Sequence, residues 1–192
     1  DALSAEQLGA NRIELCSALD KGGLTPSQEL TLQCVQQLKI PVMAMVRPRA
    51  GSFVYSEVEI QQMEREIEFL KDSGVVGVVF GLLTAEGSID LENTRRLTKL
   101  ALPLEVTFHK AIDQTTNIFN AFKELNSIEG ITRVLNSGGK DTAWNGRNCL
   151  KQMHELPDRS IQIIAAGKVV PQNRNQIAEF TGIYELHGQR IM

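Results

Sequence analysis

The fold of this chain is indicated most clearly by residues 104–113, which read Leu-Glu-Val-Thr-Phe-His-Lys-Ala-Ile-Asp. Apolar and polar residues alternate over the first six positions, in the order Leu104, Glu105, Val106, Thr107, Phe108, His109. Because successive side chains of a β-strand point to opposite faces, this alternation predicts a strand with one apolar and one polar face. A helical pattern follows, and α/β folds place their chemistry where a strand runs into a helix. We therefore expect functional side chains at the carboxyl end of this strand.

The same strand–helix unit recurs along the whole chain. Further runs that predict strands occupy residues 12–16, 42–46, 77–81, 133–137, 161–167 and 184–188. A stretch with helical periodicity separates each run from the next, such as the one that begins at the capping box of Ser56 and Glu59. Strands that alternate strictly with helices predict parallel pairing, and seven such units predict an α/β fold of the TIM (β/α)8 barrel type. A doubly wound open sheet is the alternative, but no strand is followed by the Gly-x-Gly-x-x-Gly turn of dinucleotide-binding folds.

The predicted pattern begins with a helix and ends with a strand. A closed barrel needs one more strand before this helix and one more helix after this strand. We therefore expect residues 1–192 to form a single, partial TIM-barrel domain that lacks the first strand and the last helix. Such a barrel has two sheet edges, which predicts a distorted wall near residues 12–16 and 184–188, or coverage of these edges by a partner subunit.

Composition argues against several classes of protein. The formal net charge of −3 over 192 residues gives no general attraction to nucleic acid or to an anionic membrane. The sequence contains no apolar run long enough to cross a bilayer. Its cysteines, Cys16, Cys34 and Cys149, are odd in number and form no Cys-x-x-Cys pair, which argues against a disulfide framework and a structural zinc site. These features predict a cytoplasmic protein with neither a nucleic-acid nor a membrane partner.

Strand parity selects a first group of candidate ligands. Cys16, His109 and His187 lie near the carboxyl ends of three predicted strands, on faces that an apolar helix layer cannot accept. Those faces must point into the barrel, and residues near the strand ends must lie at its mouth. Thiolate and imidazole suit Cu(I), so these residues are candidate metal ligands. The alternative is structural, because a buried cysteine commonly packs as a small apolar residue and a buried histidine commonly hydrogen-bonds to a carboxylate.

Arg47 and Arg49 form a second candidate site, in the Arg-Pro-Arg sequence that follows a predicted strand. The proline fixes the backbone, and paired guanidinium groups bind carboxylates or phosphates. A salt bridge with an interior carboxylate, Glu14 or Glu105, is an equally good interpretation. The two interpretations are compatible, because such a bridge can open to admit an anion.

Further polar residues are candidates for acid–base chemistry and for ligand binding. Glu14, His109 and Asp113 are hypothetical acid and base groups, and Lys110 and Ser137 are candidate ligand-binding residues. Ser137 begins a Ser-Gly-Gly turn after a strand, and the amides of such a turn suit a phosphate. The structural alternatives are a buried network that fixes the barrel interior, an ordinary strand-to-helix turn, and an Asp113 carboxylate that binds backbone amides.

Several blocks of the sequence resemble one known family. They read Arg-Ile-Glu-Leu-Cys-Ser at 12–17, Gly-Gly-Leu-Thr-Pro-Ser at 22–27, Val-Arg-Pro-Arg-Ala-Gly at 46–51 and Thr-Phe-His-Lys-Ala at 107–111. Together, and in this order, they are similar to the CutC family of copper-homeostasis proteins. The resemblance implies a cytosolic TIM barrel that associates into a homo-oligomer and is linked to copper tolerance. One departure is Lys168, which follows Gly167 where the resemblance leads us to expect a further glycine.

The resemblance also implies a copper site built from two cysteines on neighbouring strands. Cys16 matches the second of these, and the first would lie on the strand that residues 1–192 lack. With that partner missing, we expect weak copper binding or none. Two functions therefore stay open. The first is a copper-homeostasis protein that binds or handles Cu(I), and the second is a barrel enzyme acting on a small anionic metabolite, a carboxylate or a phosphate, with no obligatory metal.

Overall fold

The computed structural model describes residues 2–189 and 191 and contains one parallel sheet. Its strands are β1 (Ile13–Leu15), β2 (Val42–Met45), β3 (Gly77–Phe80), β4 (Glu105–Phe108), β5 (Ile131–Asn136), β6 (Gln162–Ala166) and β7 (Leu186–His187). They are hydrogen-bonded in chain order, and every neighbouring pair is parallel. A sheet of this order with a helix after each of its first six strands is the architecture of a partial TIM barrel, so the predicted fold class is confirmed.

The helices are α1 (Ala2–Gln7), α2 (Gln28–Gln37), α3 (Glu57–Asp72), α4 (Leu91–Ala101), α5 (Ile118–Asn126), α6 (Arg147–His154) and α7 (Arg174–Thr181). Several begin where the sequence supplies a capping side chain. Ser56 and Glu59 form the predicted capping box at the start of α3, and Asp90 accepts a hydrogen bond from an amide in the first turn of α4. These caps satisfy amides that have no partner inside the helix, which explains why the helices begin at these residues.

The two faces of each strand have different surroundings. In β2, Ala44 packs into the apolar layer between the sheet and the helices, together with side chains of α3 such as Met63. Met43 and Met45 have the opposite parity and belong to a separate small cluster with Val79 of β3. This second cluster lies on the inner face of the sheet, because strand side chains alternate between faces. The barrel interior is therefore partly apolar and rich in sulfur.

The two outer strands are the shortest in the sheet. β1 has three residues and β7 has two, and within the described residues no hydrogen-bonded ladder joins them. A cavity of about 590 Å³ lies between these edges and reaches the interior side chains Glu14, Thr107 and Leu135. We call it the seam cavity. The open edges expected near residues 12–16 and 184–188 are therefore present in the structure.

Candidate functional site

The predicted site residues fall into two regions of the barrel. The seam cavity is lined by residues that include Glu14, Arg133 and His187. The second region, which we call the mouth, lies where β1, β2 and β4 end and consists of Cys16, Arg47, Phe53, Tyr55 and His109. None of these five mouth residues lines the seam cavity. The structure therefore does not bring Glu14 into one cavity with Arg47 and His109, and it divides the candidates between two environments.

Charged residues around the seam cavity pair with one another. Arg133 Nη1 lies 2.6 Å from Glu105 Oε2, and Arg133 Nε lies 2.8 Å from Glu185 Oε2. Arg12 Nη1 lies 3.3 Å from the same oxygen of Glu105. Glu105, a carboxylate considered as a partner for Arg47 or Arg49, is thus neutralised by two other arginines. Glu14 lines the cavity beside this network, and its acid–base role stays a prediction.

Arg47 is buried at the mouth, with 7% of its surface exposed, and it contacts no carboxylate of residues 2–189 and 191. Its Nη1 donates to the carbonyl oxygens of Lys21, Gly22 and Gly23 at 3.2 to 3.3 Å, and its Nη2 donates to that of Gly51 at 3.2 Å. The guanidinium therefore ties the loop after β1 to the loop after β2. Its Nε atom is buried and has no hydrogen-bond partner in the part of the chain that the structure describes.

Arg49 binds different groups from Arg47, although only Pro48 separates the two residues. It pairs with Glu59 in the first turn of α3 and donates to the carbonyl oxygens of Ser52 and Val54, both at 2.7 Å. These contacts fold residues 49–56 into a compact loop. The two guanidinium groups therefore do not form the predicted paired site, because each binds a different set of backbone carbonyls.

His109 is buried directly beside Arg47, and its imidazole is neutral. Its Nδ1 accepts a hydrogen bond from the Ala111 amide at 3.2 Å, which places the ring proton on Nε2. Burial, with a smaller contribution from the positive charge of Arg47, lowers the pKa of His109 to about 3. The Nε2 atom is buried and has no hydrogen-bond partner. His109 is therefore arranged to donate a proton in a hydrogen bond, and Nδ1 is not free to accept one from a substrate.

Two aromatic residues complete the mouth, and the sequence did not predict them. The Phe53 ring lies 4.8 Å from the guanidinium carbon of Arg47 and 4.8 Å from the centre of the His109 ring. The hydroxyl of Tyr55 is buried beside the Arg47 guanidinium; burial raises the pKa of Tyr55, while the charge of Arg47, a hydrogen bond with Arg47 and the charge of Arg49 act in the opposite direction. The signal that was available is their position in the loop directly after Arg-Pro-Arg, which covers the ends of the strands.

Cys16 lies at the inner edge of the mouth, beside the interior methionines. It packs against the cluster of Met43, Met45 and Val79. Burial, and to a smaller extent the negative charge of Glu14, raises the pKa of the Cys16 thiol to about 11. The group is therefore a thiol at neutral pH, and it becomes a metal ligand only by releasing its proton.

Asp113 binds the backbone turn in which the sequence predicted a phosphate site. Its carboxylate accepts hydrogen bonds from the Ser137 amide at 2.9 and 3.0 Å, from the Ser137 hydroxyl at 3.0 Å and from the Gly139 amide at 2.8 Å. Lys110 Nζ lies 2.8 Å from the same carboxylate and also contacts the Ser137 hydroxyl. The structural alternative therefore describes this group well. The roles of Asp113 in catalysis and of Lys110 and Ser137 in ligand binding stay predictions.

Within residues 2–189 and 191, the structure contains no set of three or more His, Cys, Asp and Glu side chains that could hold a metal ion. Cys16 and His109 belong to the mouth, whereas His187 lines the seam cavity. The predicted set of Cys16, His109 and His187 is therefore not assembled as one group, because the cavity separates β7 from β1. In the same described part of the chain, no helix is long and apolar enough to cross a bilayer.

Comparison with known proteins reveals relatives over the whole chain. The sequence profile of the CutC family matches residues 1–192. A CutC family protein from Glaesserella parasuis serovar 5 (strain SH0165) is 42% identical over 192 residues, which cover 98% of this chain and 79% of the relative. The human protein named copper homeostasis protein cutC homolog is 40% identical over 186 residues, covering 97% of this chain and 68% of its own length.

Solved structures give a consistent result. A crystal structure of CutC from Streptococcus agalactiae matches with a TM-score of 0.90 at 31% identity, over 95% of this chain and 90% of that one. A dihydrodipicolinate synthase matches with a TM-score of 0.63 at 13% identity, over 97% of this chain and 61% of that one. The second similarity is of fold alone.

Proposed function

This chain belongs to the CutC family, and we propose that it acts in copper homeostasis by binding Cu(I) in the cytoplasm. The observation that supports binding is the group of sulfur side chains in the barrel interior, where Cys16 packs against Met43 and Met45. Sulfur ligands such as thiolate and thioether are those that Cu(I) prefers. The copper ion is the cargo of this proposal and needs no further cofactor.

The position of Cys16 and Met45 follows from the pairing of β1 with β2. Leu15 pairs with Ala44, so the next residue of each strand, Cys16 and Met45, lies side by side beyond the end of β1. Both border the backbone of Gly23: a β-carbon at this glycine would lie 3.1 Å from Cys16 Sγ and 3.6 Å from Met45 Cε. The absence of a side chain at Gly23 therefore leaves room beside the Cys16 sulfur and the Met45 methyl group. The thioethers of Met43 and Met45 supply ligands that were not among the predicted ones, and Met43 lines the seam cavity together with His187.

Copper binding at this place must release a proton, since the pKa of Cys16 is raised to about 11. Below that pH, the proton competes with Cu(I) for the sulfur atom, and the apparent affinity falls roughly tenfold for each pH unit. This competition lowers the affinity of the site for Cu(I) at neutral pH.

The proposal is tested by competition of the protein with a chromophoric Cu(I) chelator under reducing, oxygen-free conditions. We expect one Cu(I) per chain, with affinity lost in Cys16→Ser and reduced roughly tenfold in Met45→Leu. Cys34→Ser is the matched control, because Cys34 packs on α2 with the helix layer, and it should bind as the unmodified chain does. Equal binding by Cys16→Ser and the unmodified protein would contradict the proposal.

Location and assembly are part of the same proposal. The three cysteines are free in the structure, and a reducing compartment keeps thiols in this state. Association with a second copy is included in the proposal because the family resemblance implies a homo-oligomer. Light scattering over a range of protein concentrations should give the mass of a homo-oligomer, and a constant monomer mass would contradict this part.

A second function is supported by a separate observation. Arg47 Nε and His109 Nε2 are buried donors without a partner, and buried donors without a partner are costly unless a ligand uses them. We propose, as the alternative, an enzyme that acts on a small anionic metabolite at the mouth and requires no metal. A neutral imidazole that donates through Nε2 stabilises negative charge on a substrate oxygen, and the adjacent guanidinium strengthens this effect.

The two functions predict opposite results for the same variants. If the mouth binds an anion, Cys16→Ser keeps that binding and Arg47→Ala abolishes it. If the chain binds copper and no anion, Cys16→Ser abolishes Cu(I) binding, and adding small anions has no effect on the protein. Arg47→Ala with unchanged anion affinity removes the main support for the second function.

A further inference from the structure

We infer that the mouth binds the carboxylate group of a small molecule between Arg47 Nε and His109 Nε2, and that the Phe53 ring occupies this place in the free protein. The inference rests on the second proposed function, since it specifies the ligand class of the same region. It is independent of copper, and it is carried by two buried donor atoms that have no hydrogen-bond partner among the described residues, Arg47 Nε and His109 Nε2, with the Tyr55 hydroxyl beside Arg47.

The mouth offers donors and lacks acceptors. Arg47 and His109 are 7% and 6% exposed, so their unused N–H groups are removed from water. Arg47 Nε always carries a proton, and His109 Nε2 carries one because Nδ1 accepts from the Ala111 amide. A ligand that satisfies both atoms must present hydrogen-bond acceptors. An anionic ligand also benefits from the charge of Arg47, which no carboxylate of the described residues neutralises at this place.

The number of free donors favours a carboxylate over a phosphate. Arg47 directs Nη1 and Nη2 at four backbone carbonyls, so Nε is its one nitrogen without a hydrogen-bond partner among the described residues, beside His109 Nε2 and the Tyr55 hydroxyl. Two N–H donors match the two oxygens of a planar carboxylate, and one guanidinium balances its single charge. A phosphate at neutral pH carries more charge and more acceptor sites than these groups can match. The amides that suit a phosphate, at Ser137 and Gly139, already bind Asp113.

Phe53 contacts both groups that would hold the ligand. Its ring centre lies 4.8 Å from the guanidinium carbon of Arg47 and 4.8 Å from the His109 ring centre, and only 9% of the residue is exposed. Its backbone is fixed, because its carbonyl accepts a hydrogen bond from the Leu83 amide at 2.9 Å. Rotation of the side chain is therefore sufficient to admit a carboxylate. The attraction between the ring and the guanidinium explains why the ring is held in this position when no ligand is bound.

The test is a titration of the full chain with acetate, with acetamide as its uncharged isostere, followed by calorimetry and by the ¹⁵N resonances of labelled histidine. We expect acetate to bind and to shift the His109 Nε2 resonance, and acetamide to do neither at concentrations on the order of 10 mM. Phe53→Ala should bind acetate at least roughly tenfold more tightly, because no ring must be displaced. Phe180→Ala, which truncates a half-exposed ring on α7, is the matched control and should leave affinity unchanged.

Two further variants remove one donor each. His109→Leu should weaken acetate binding roughly tenfold, and Tyr55→Phe should weaken it roughly threefold. Arg47 is left unchanged in this test, because its removal also breaks contacts between two loops. Failure of Phe53→Ala to bind acetate more tightly than the unmodified chain overturns the inference, and so does a phosphate that displaces acetate.

The inference and the second proposed function fail in different ways. Acetate binding at His109 without turnover of any carboxylate keeps the inference and removes the enzyme assignment. Turnover of a phosphate compound, with no acetate effect on His109 Nε2, keeps the enzyme assignment and removes the inference.

Discussion

The mouth and the seam cavity are both built from inward-facing polar residues, yet they treat charge in opposite ways. At the seam, Arg133 is matched by Glu105 and Glu185 within 2.8 Å. At the mouth, Arg47 is matched by carbonyl oxygens, and His109 is kept neutral by burial. The seam is open to water and satisfies its charges with counter-charges, whereas the loop after β2 covers the mouth and leaves donors unused. The two regions therefore differ in how their charged groups are satisfied, by counter-charges at the seam and by backbone carbonyls at the mouth.

The largest effect expected from this comparison is a pH dependence of stability at the mouth. In the folded chain the pKa of His109 is about 3, well below its ordinary value of 6.5. Between these two pH values the imidazole is protonated in the unfolded chain and neutral in the folded chain. Stability due to His109 is therefore complete above pH 6.5 and is lost as the pH falls towards 3. The difference between these two values corresponds to ~5 kcal/mol.

Urea unfolding between pH 3 and pH 8 measures this dependence. His109→Gln should flatten the curve relative to the unmodified chain, while Arg133→Met, which changes only the seam, should keep its slope. An equal slope in His109→Gln would mean that the buried imidazole does not carry the effect.

The next largest effect is the loss of the Arg47 guanidinium. Arg47→Met should lower the free energy of unfolding by about 3 kcal/mol, because carbonyl groups of the two covering loops lose their donor inside the protein. Chemical unfolding at neutral pH gives the value. Arg49→Met is the comparison, since Arg49 is more exposed and pairs near the surface with Glu59, and it should cost less. A smaller loss for Arg47→Met than for Arg49→Met would contradict the burial assigned to the mouth.

A smaller effect is expected at the seam. Arg133→Met should lower the free energy of unfolding by about 1 kcal/mol, because Glu105 and Glu185 are 39% and 44% exposed and can be hydrated when the arginine is removed. The loss should decrease further in high salt, which screens exposed pairs. A loss as large as that of Arg47→Met would show that the two regions do not differ as described.

The smallest effect concerns backbone conformation at the rim of the barrel, where charge burial plays no part. Lys168 has φ of 52°, a left-handed conformation that costs a lysine about 1 kcal/mol relative to glycine. Lys168→Gly should therefore raise stability by less than about 1 kcal/mol, since glycine also gains entropy in the unfolded chain. Thermal unfolding detects this as a small rise in Tm, and Lys140→Gly serves as a control on another exposed loop, where no rise is expected.

The strand ends of the candidate site were largely predictable, and its loops were not. Alternation in β4 correctly placed His109 on the inner face, and the capping box correctly placed the start of α3. The prediction that Arg47 and Arg49 form one paired site was wrong. Pro48 and the tight loop after it direct the two guanidinium groups to different backbone carbonyls. Phe53 was missed because no periodicity governs an irregular loop.

The sequence by itself determined the partial TIM barrel and the parity of its strands, because these follow from local patterns that repeat every few residues. It also indicated the family, through the resemblance of its ordered sequence blocks. Only the tertiary structure decided which inward residues meet. His109 lies against Phe53, and Phe53 against Arg47, because of the path of the loop after β2. His187 lies beside the seam cavity because of its position along the barrel axis and the register between strands. These properties depend on contacts between segments distant in sequence, and no local pattern encodes them.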